Sequence, residues 1–315
     1  MSRVFGDILS VLFAKAAPKC ATPVSGGAGF GGGASFYGLS PKTDYVRNAK
    51  GKWTLSGRVV KGDPLKRLEK MRIPPAWTSA HVARSAGSKI QAVGIDAKGR
   101  PQYRYSAAHI AEQAKRKFAR VRDFSKRMPS IRDRVAKDMA AGRQEAWVLR
   151  LEDKTAIRVG SAKDFKADVK AYGLTTLEGR HVAVKGSTIT MDFTAKEGIR
   201  CVKTIQDKEL AGWLNKRIVA AGPTGKLFPD VPAVKLNDYL KSVGGGKYTV
   251  KDFRTYHGSQ IAYNVVKSYA GTALSAKQKA EVVKNAAVEA SRFLGNTPAM
   301  AKTSYIDPTI WEMLR

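Results

Sequence analysis

Residues 181–206 read HVAVKGSTITMDFTAKEGIRCVKTIQ, and their apolar side chains recur at alternate positions: Val182 and Val184, then Ile189, Met191 and Phe193, then Ile199 and Cys201. A period of two is that of a strand buried on one face. The run Ala195-Lys196-Glu197-Gly198 breaks the alternation. The pattern predicts a three-stranded antiparallel meander with Lys196 at its second turn. On both sides the apolar spacing is helical, so the meander is expected to be a small sheet inserted into a mainly α-helical domain.

Downstream, helices are expected over Asp207–Ala221, Thr249–Tyr269 and Ser275–Leu294. Ser275 and Gln278 have capping-box spacing, and Gly295 is a stop signal. Upstream, Gln144–Ala156 carries Trp147, Val148 and Leu151, and two Lys/Arg-studded helices are expected over Ala108–Asp123 and Ser130–Ala141. Before Ala107 the runs are short and strand-like: Lys52–Leu55, Arg58–Val60, Ala80–Val82, Ile90–Val93 and Tyr103–Tyr105. Turns such as Asp96-Ala97-Lys98-Gly99 separate them, and one short helix, Pro64–Met71, interrupts them. Residues 1–40 combine a short apolar stretch, Val4–Phe13, broken by Asp7, with a Gly-rich run from Ser25 to Gly38. A signal peptide needs a cleaner apolar region. The expected organisation is α+β: a flexible tail 1–40, a β-rich domain 41–107, and a mainly α-helical domain 108–315 holding the inserted sheet.

Composition points to the partner. Among 315 residues, 56 Lys and Arg stand against 26 Asp and Glu, a formal charge of +30. Charge of that size favours a polyanion, and nucleic acid gains most because neutralised phosphates release counterions. A basic membrane-surface protein is the alternative, but no stretch has the length of a transmembrane helix. With 43% hydrophobic residues and five Trp the chain is expected to fold around a real core. Cys20 and Cys201 are too far apart in sequence for metal-ligand spacing or a disulfide framework, which fits a reducing compartment. His81, His109, His181 and His257 are scattered, so no zinc or di-iron site is expected, and His181 and His257 are read as packing or DNA-contact residues.

Near the C-terminus stand Leu294-Gly295-Asn296-Thr297-Pro298 and Lys302-Thr303-Ser304-Tyr305-Ile306-Asp307-Pro308. A phenol ionises near pH 10 unless positive charge assists it. Alone, Tyr305 is better explained by packing or by a hydrogen bond from its hydroxyl than by chemistry. To cleave a phosphodiester with a tyrosine, a protein needs cations on the non-bridging oxygens and a proton donor for the leaving 5′ oxygen. Arg suits the first task by its planar fork, and Lys with a depressed pKa suits the second. Three segments offer such groups: Arg158 beside Gly160, which would let backbone approach a ligand, Lys196 at the hairpin tip, and Lys251-Asp252-Phe253-Arg254 opening a helix. Gly244-Gly245-Gly246-Lys247 lacks the spacing of a nucleotide-binding loop.

Arg, hairpin Lys, K-x-x-R, Asn-Thr-Pro and Ser-Tyr in this order resemble the type IB DNA topoisomerase family, closest to its compact poxvirus-like and bacterial members. Ile73-Pro74-Pro75-Ala76-Trp77-Thr78, Gly99-Arg100-Pro101-Gln102-Tyr103-Arg104-Tyr105 and Tyr172-Gly173-Leu174-Thr175-Thr176-Leu177 also look like family signatures, so the resemblance runs from about Asp44 to the end. It implies a C-shaped clamp on double-stranded DNA and relaxation of supercoils by a monomer. Tyr305 would be the nucleophile, Arg158 and Arg254 the phosphate clamp, Lys196 the general acid with Lys185 as the runner-up, and Asn296 a hydrogen-bond donor where poxvirus-type members carry His. Gln102, Tyr103, Arg104, Tyr105 and Lys251 would contact DNA. No ATP or metal would be required, with Mg2+ at most stimulatory. The expected location is the cytoplasm or nucleoid of a bacterium or its phage, or the nucleus or virion of a eukaryotic virus. A tyrosine recombinase and a non-catalytic basic DNA-binding protein are the competing readings.

Overall fold

The computed structural model describes Leu39, residues 44–160 and residues 170–314. The expected tail 1–40 therefore lies outside the described residues apart from Leu39. The chain divides into two compact units, Met1–Arg116 and Lys117–Arg315.

The first unit is built on a six-stranded antiparallel sheet in the order β3-β2-β1-β4-β5-β6. The strands are β1 (Tyr45–Arg47), β2 (Trp53–Leu55), β3 (Arg58–Val59), β4 (Thr78–Val82), β5 (Ile90–Ile95) and β6 (Pro101–Tyr105); helix α1 spans Asp63–Lys70. Strand β1, unanticipated from the sequence, joins the β2–β3 hairpin to β4. Tyr45, Trp53, Leu68, Trp77 and Val82 form the core. Gly94 is dictated by Trp77: a Cβ there would lie 2.6 Å from the indole ring. Strand β6, which carries Gln102 to Tyr105, is a sheet edge.

The second unit takes over within helix α2 (Ala107–Ala140), a single helix of 34 residues where two were expected. Pro129 lies inside it, on the exposed side. The lost backbone hydrogen bond thus falls towards water, while Phe124, Met128, Ile131 and Val135 keep an unbroken buried stripe. Helix α3 (Gln144–Thr155) ends on Ala156 in the left-handed conformation. The meander follows as β7 (Val182–Lys185), β8 (Thr188–Thr194) and β9 (Arg200–Gln206), a three-stranded antiparallel sheet in that order. Ile199 falls outside β9 and is exposed. Then come α4 (Lys208–Ala221), α5 (Ala233–Gly244), α6 (Lys251–Lys267), α7 (Ala276–Leu294) and α8 (Pro298–Ser304). The Ser275–Gln278 capping box forms, and Gly295 closes α7 in the left-handed conformation. Helices α5 and α8 were not anticipated. The first buries Leu236, Tyr239 and Leu240 on one stripe; the second, seven residues capped by Thr297, is too short to show periodicity.

Candidate active site

Arg254 is the pivot of the second unit. It lies in the first turn of α6, is 5% exposed, and donates to two carbonyls far away in sequence: Ala156 through Nη1 and Leu294 through Nη2 (2.7 Å). Both carbonyls sit at helix C-termini, where oxygens lack intrahelical partners and partial negative charge accumulates. One guanidinium thus ties the ends of α3 and α7 together. Ala156 and Leu294 also form the apolar seat for Tyr305, whose ring centroid is 5.1 Å from the Arg254 Cζ.

Tyr305 caps the C-terminus of α8 and is 9% exposed. Gly258 of α6 makes room for it, since a Cβ there would lie 2.7 Å from the Tyr305 carbonyl oxygen and 3.0 Å from its Cβ. Ser259 Oγ donates to that same carbonyl. Burial pushes the phenol's pKa up, but Arg254, Arg158 and Lys251 together outweigh it, so the phenol titrates below its ordinary value of 10.0. The tyrosine is both enclosed and biased towards phenolate.

Arg158 is exposed, and its backbone is held by the Tyr172–Leu177 signature: Leu174 N–H donates to the Arg158 carbonyl at 2.8 Å and Thr175 N–H to that of Val159 at 2.9 Å. Gly173 is required there, because a Cβ would lie 2.4 Å from the Arg158 oxygen. Gly160 is half-buried with φ +85°, and a Cβ there would lie 2.9 Å from Thr176 Oγ1 and 3.1 Å from the Gly173 Cα, so the close packing of this segment also calls for glycine. Asn296 is half-buried, and both polar atoms of its amide are enclosed without a partner. Lys251 is exposed at the start of α6.

The lysines divide. Lys196 stands at the tip of the β8–β9 hairpin, half-buried, on a turn in which Glu197 and Gly198 take positive φ. Lys185 is exposed at the end of β7, on the face opposite Val182 and Val184. Lys203, to which the sequence reading gave no role, lies in β9 in phase with Cys201 and Ile205 and is paired with Met191. Its ammonium is 4.5 Å from the Phe293 ring centroid. Burial and Arg254 lower its pKa to about 8, against Cys201 and Glu152, which raise it. The signal was present in the sequence: a lysine in the apolar phase of a strand.

The histidines pack. His181 Nδ1 accepts from the Glu178 N–H beneath Tyr172, and His257 pairs with Asp153 at 3.0 Å. The second of these borders a cleft of about 480 Å³ floored by Met128, Ile131, Leu149, Phe253 and Phe293, apart from Tyr305. In the first unit, Tyr103 and Tyr105 stack on one face of β6 with ring centroids 6.1 Å apart, and Tyr103 packs on the Leu39, Ala83 and Val93 cluster. Gln102 donates to Asp96, and Arg104 lies over Trp77, itself a core residue.

A tyrosine packed under Arg254 on a helical scaffold with an inserted three-stranded sheet has the residue types that a tyrosine-based phosphodiester transfer requires. The comparisons with known proteins agree. Residues 106–313, more than half of the chain, match the family described as eukaryotic DNA topoisomerase I, catalytic core, and residues 54–96 match the bacterial DNA topoisomerase IB N-terminal domain. DNA topoisomerase 1B of Acanthamoeba polyphaga mimivirus is 30% identical over 262 residues, covering 77% of each chain. DNA topoisomerase 1B of vaccinia virus (strain Copenhagen) is 29% identical over 269 residues, 79% of this chain and 81% of its own. The chain belongs to the type IB DNA topoisomerase family. No described helix is long and apolar enough to cross a membrane.

Proposed function

We propose that this topoisomerase relaxes supercoiled double-stranded DNA, as a monomer, by transient cleavage of one strand through Tyr305. The observation that carries the reading is the Tyr305 phenol, packed under Arg254 and drawn towards phenolate by Arg254, Arg158 and Lys251. The Tyr305 oxygen bonds to the scissile phosphorus, and the bond from phosphorus to the 5′ oxygen breaks. The products are a 3′-phosphotyrosine and a 5′-hydroxyl, and the phenolic proton leaves to solvent. Arg158 and Arg254 bind the non-bridging oxygens, where charge builds up in the transition state. Asn296, whose amide has unfilled hydrogen-bonding capacity, adds a donor that cannot titrate.

Lys196, on its hairpin, supplies the proton to the departing 5′ oxygen, with Lys185 the alternative donor. The phosphotyrosine retains the energy of the phosphodiester, so resealing by the same steps in reverse needs neither ATP nor metal; Mg2+ would at most stimulate. Torsional strain drives rotation of the free end between the two steps. Gln102, Tyr103, Arg104 and Tyr105 on an edge strand, with Lys251, are the proposed DNA contacts, and the two units are proposed to close on the duplex as a clamp. Cells or virions that hold DNA are the setting this implies.

The test is plasmid relaxation without nucleotide, with denaturant trapping of covalent adduct, for wild type and Tyr305→Phe. Wild type should relax DNA and form a trapped adduct, and the variant should do neither. A variant that still forms adduct refutes the nucleophile. Strand exchange between plasmids would favour a recombinase, and binding without adduct a non-catalytic protein.

A further inference from the structure

One buried titratable group that Arg254 acts on is not used by the cleavage mechanism. Glu152, in the last turn of α3, is 0% exposed, and neither carboxyl oxygen has a hydrogen-bond partner. The charged groups that act on it are Arg254 from α6, Lys203 from β9 and its neighbour Asp153. Those acting on Lys203 are Cys201 on its own strand, Arg254 and Glu152, and the Phe293 ring of α7 lies 4.5 Å from its ammonium. Arg254 leaves its Nε unpartnered in the same interior. A buried carboxyl, a buried guanidinium and a half-buried ammonium thus act on one another, and the first two have hydrogen-bonding capacity to spare. Such an arrangement is costly when fully charged and relaxes by moving a proton.

We propose that Glu152 and Lys203 act as one proton-exchanging pair that sets the charge behind the scissile phosphate through Arg254. With Glu152 as carboxylic acid and Lys203 as ammonium, the pair carries one positive charge. Loss of one proton to solvent leaves it neutral, whichever of the two gives it up, so the step belongs to the pair. The positive form supports both the Tyr305 phenolate and the charge growing on the phosphate; the neutral form withdraws that support. Both residues are positioning residues, acting through Arg254. The inference rests on the proposed role of Tyr305.

The test is the single-turnover rate of adduct formation on a defined duplex as a function of pH, for wild type, Glu152→Gln, Lys203→Met and Lys203→Arg. Wild type should show a break near pH 8, where Lys203 titrates, above which the rate stops rising or falls. Glu152→Gln keeps a neutral group of the same shape but cannot give up a proton, which leaves Lys203 as the only donor of the pair, so the break should move to higher pH. Lys203→Met should abolish it. Lys203→Arg, which keeps the charge and does not titrate, should keep a rate close to wild type at neutral pH without the wild-type break. Profiles unchanged in all three variants overturn the proposal, as does an equal fall at every pH, which marks a purely structural role. Wild type that forms no adduct at any pH removes the Tyr305 mechanism and this pair together. Adduct formation with unaffected profiles removes the pair alone.

Discussion

Replacing Gly258 by Ala should separate stability from catalysis, because one added methyl meets the nucleophile's own backbone. Gly258 is in the interior of α6, where Ala is favoured over Gly by about 1 kcal/mol. Helix propensity alone would make the substitution stabilising. The added Cβ, however, would lie 2.7 Å from the Tyr305 carbonyl oxygen, 3.0 Å from the Tyr305 Cβ and 3.1 Å from Leu294 Cδ1. The first distance is about 0.7 Å short of ordinary contact, and overpacking of that kind costs about 1–3 kcal/mol. The two effects offset, so net destabilisation should be no more than about 2 kcal/mol. The geometry offers no such offset. Tyr305 must retreat by several tenths of an ångström from a seat defined by Ala156 and Leu294, and misplacement on the ångström scale costs about 10²-fold in rate. The assay is single-turnover adduct formation alongside duplex affinity and urea unfolding. Cleavage should fall between about 10- and 10²-fold while affinity is unchanged. Cleavage within twofold of wild type, or affinity falling in step with cleavage, would refute the reasoning.

Arg254→Ala should reduce cleavage by about 10³–10⁵. It should also lower stability by about 1–3 kcal/mol, measured by denaturant unfolding, because the Ala156 and Leu294 carbonyls lose their partner. Gly173→Ala places a Cβ 2.4 Å from the Arg158 oxygen, so adduct formation should fall well below wild type while duplex affinity, shared among many charges, persists in a binding titration. Asp153 lies in a buried network with His257 and Arg132; burial raises its pKa, but hydrogen bonds and attraction from His257 and Arg132 outweigh that and hold it below the usual carboxylate range. Its folded pKa is depressed, so its contribution is present above the unfolded value of about 4 and is lost as pH falls through the folded one. Asp153→Asn should therefore lower the thermal midpoint at neutral pH and flatten its fall on acidification, as followed by circular dichroism.

Much of this molecule is written locally. The meander over residues 181–206, the hairpin position of Lys196, the capping box at Ser275 and the start of the helix that carries Arg254 all follow from patterns spanning a few residues. Those patterns report the periodicity of one chain segment against a generic interior. Two places show the limit. Two helices were expected over Ala108–Asp123 and Ser130–Ala141, but the packed stripe from Phe124 to Val135 runs on while Pro129 faces outward, and the helix continues. Gly160 is legible as a glycine beside Arg158, but only the fold shows that it packs against the Gly173 segment.

The sequence by itself determined the cationic character of the chain, the α+β layout, and the residue types a tyrosine-based phosphodiester transfer requires. Tertiary structure alone decided which of those residues meet. Arg254 reaches carbonyls 98 and 40 positions away because two helices end on the same spot, a convergence no local period encodes. Lys203 lies in the apolar phase of β9 and so is legible as an oddity, yet only packing shows that it faces Phe293 and comes under the influence of Glu152 and Arg254. Charge near a tyrosine depends on distances across the fold, whereas sequence fixes distances only along the chain.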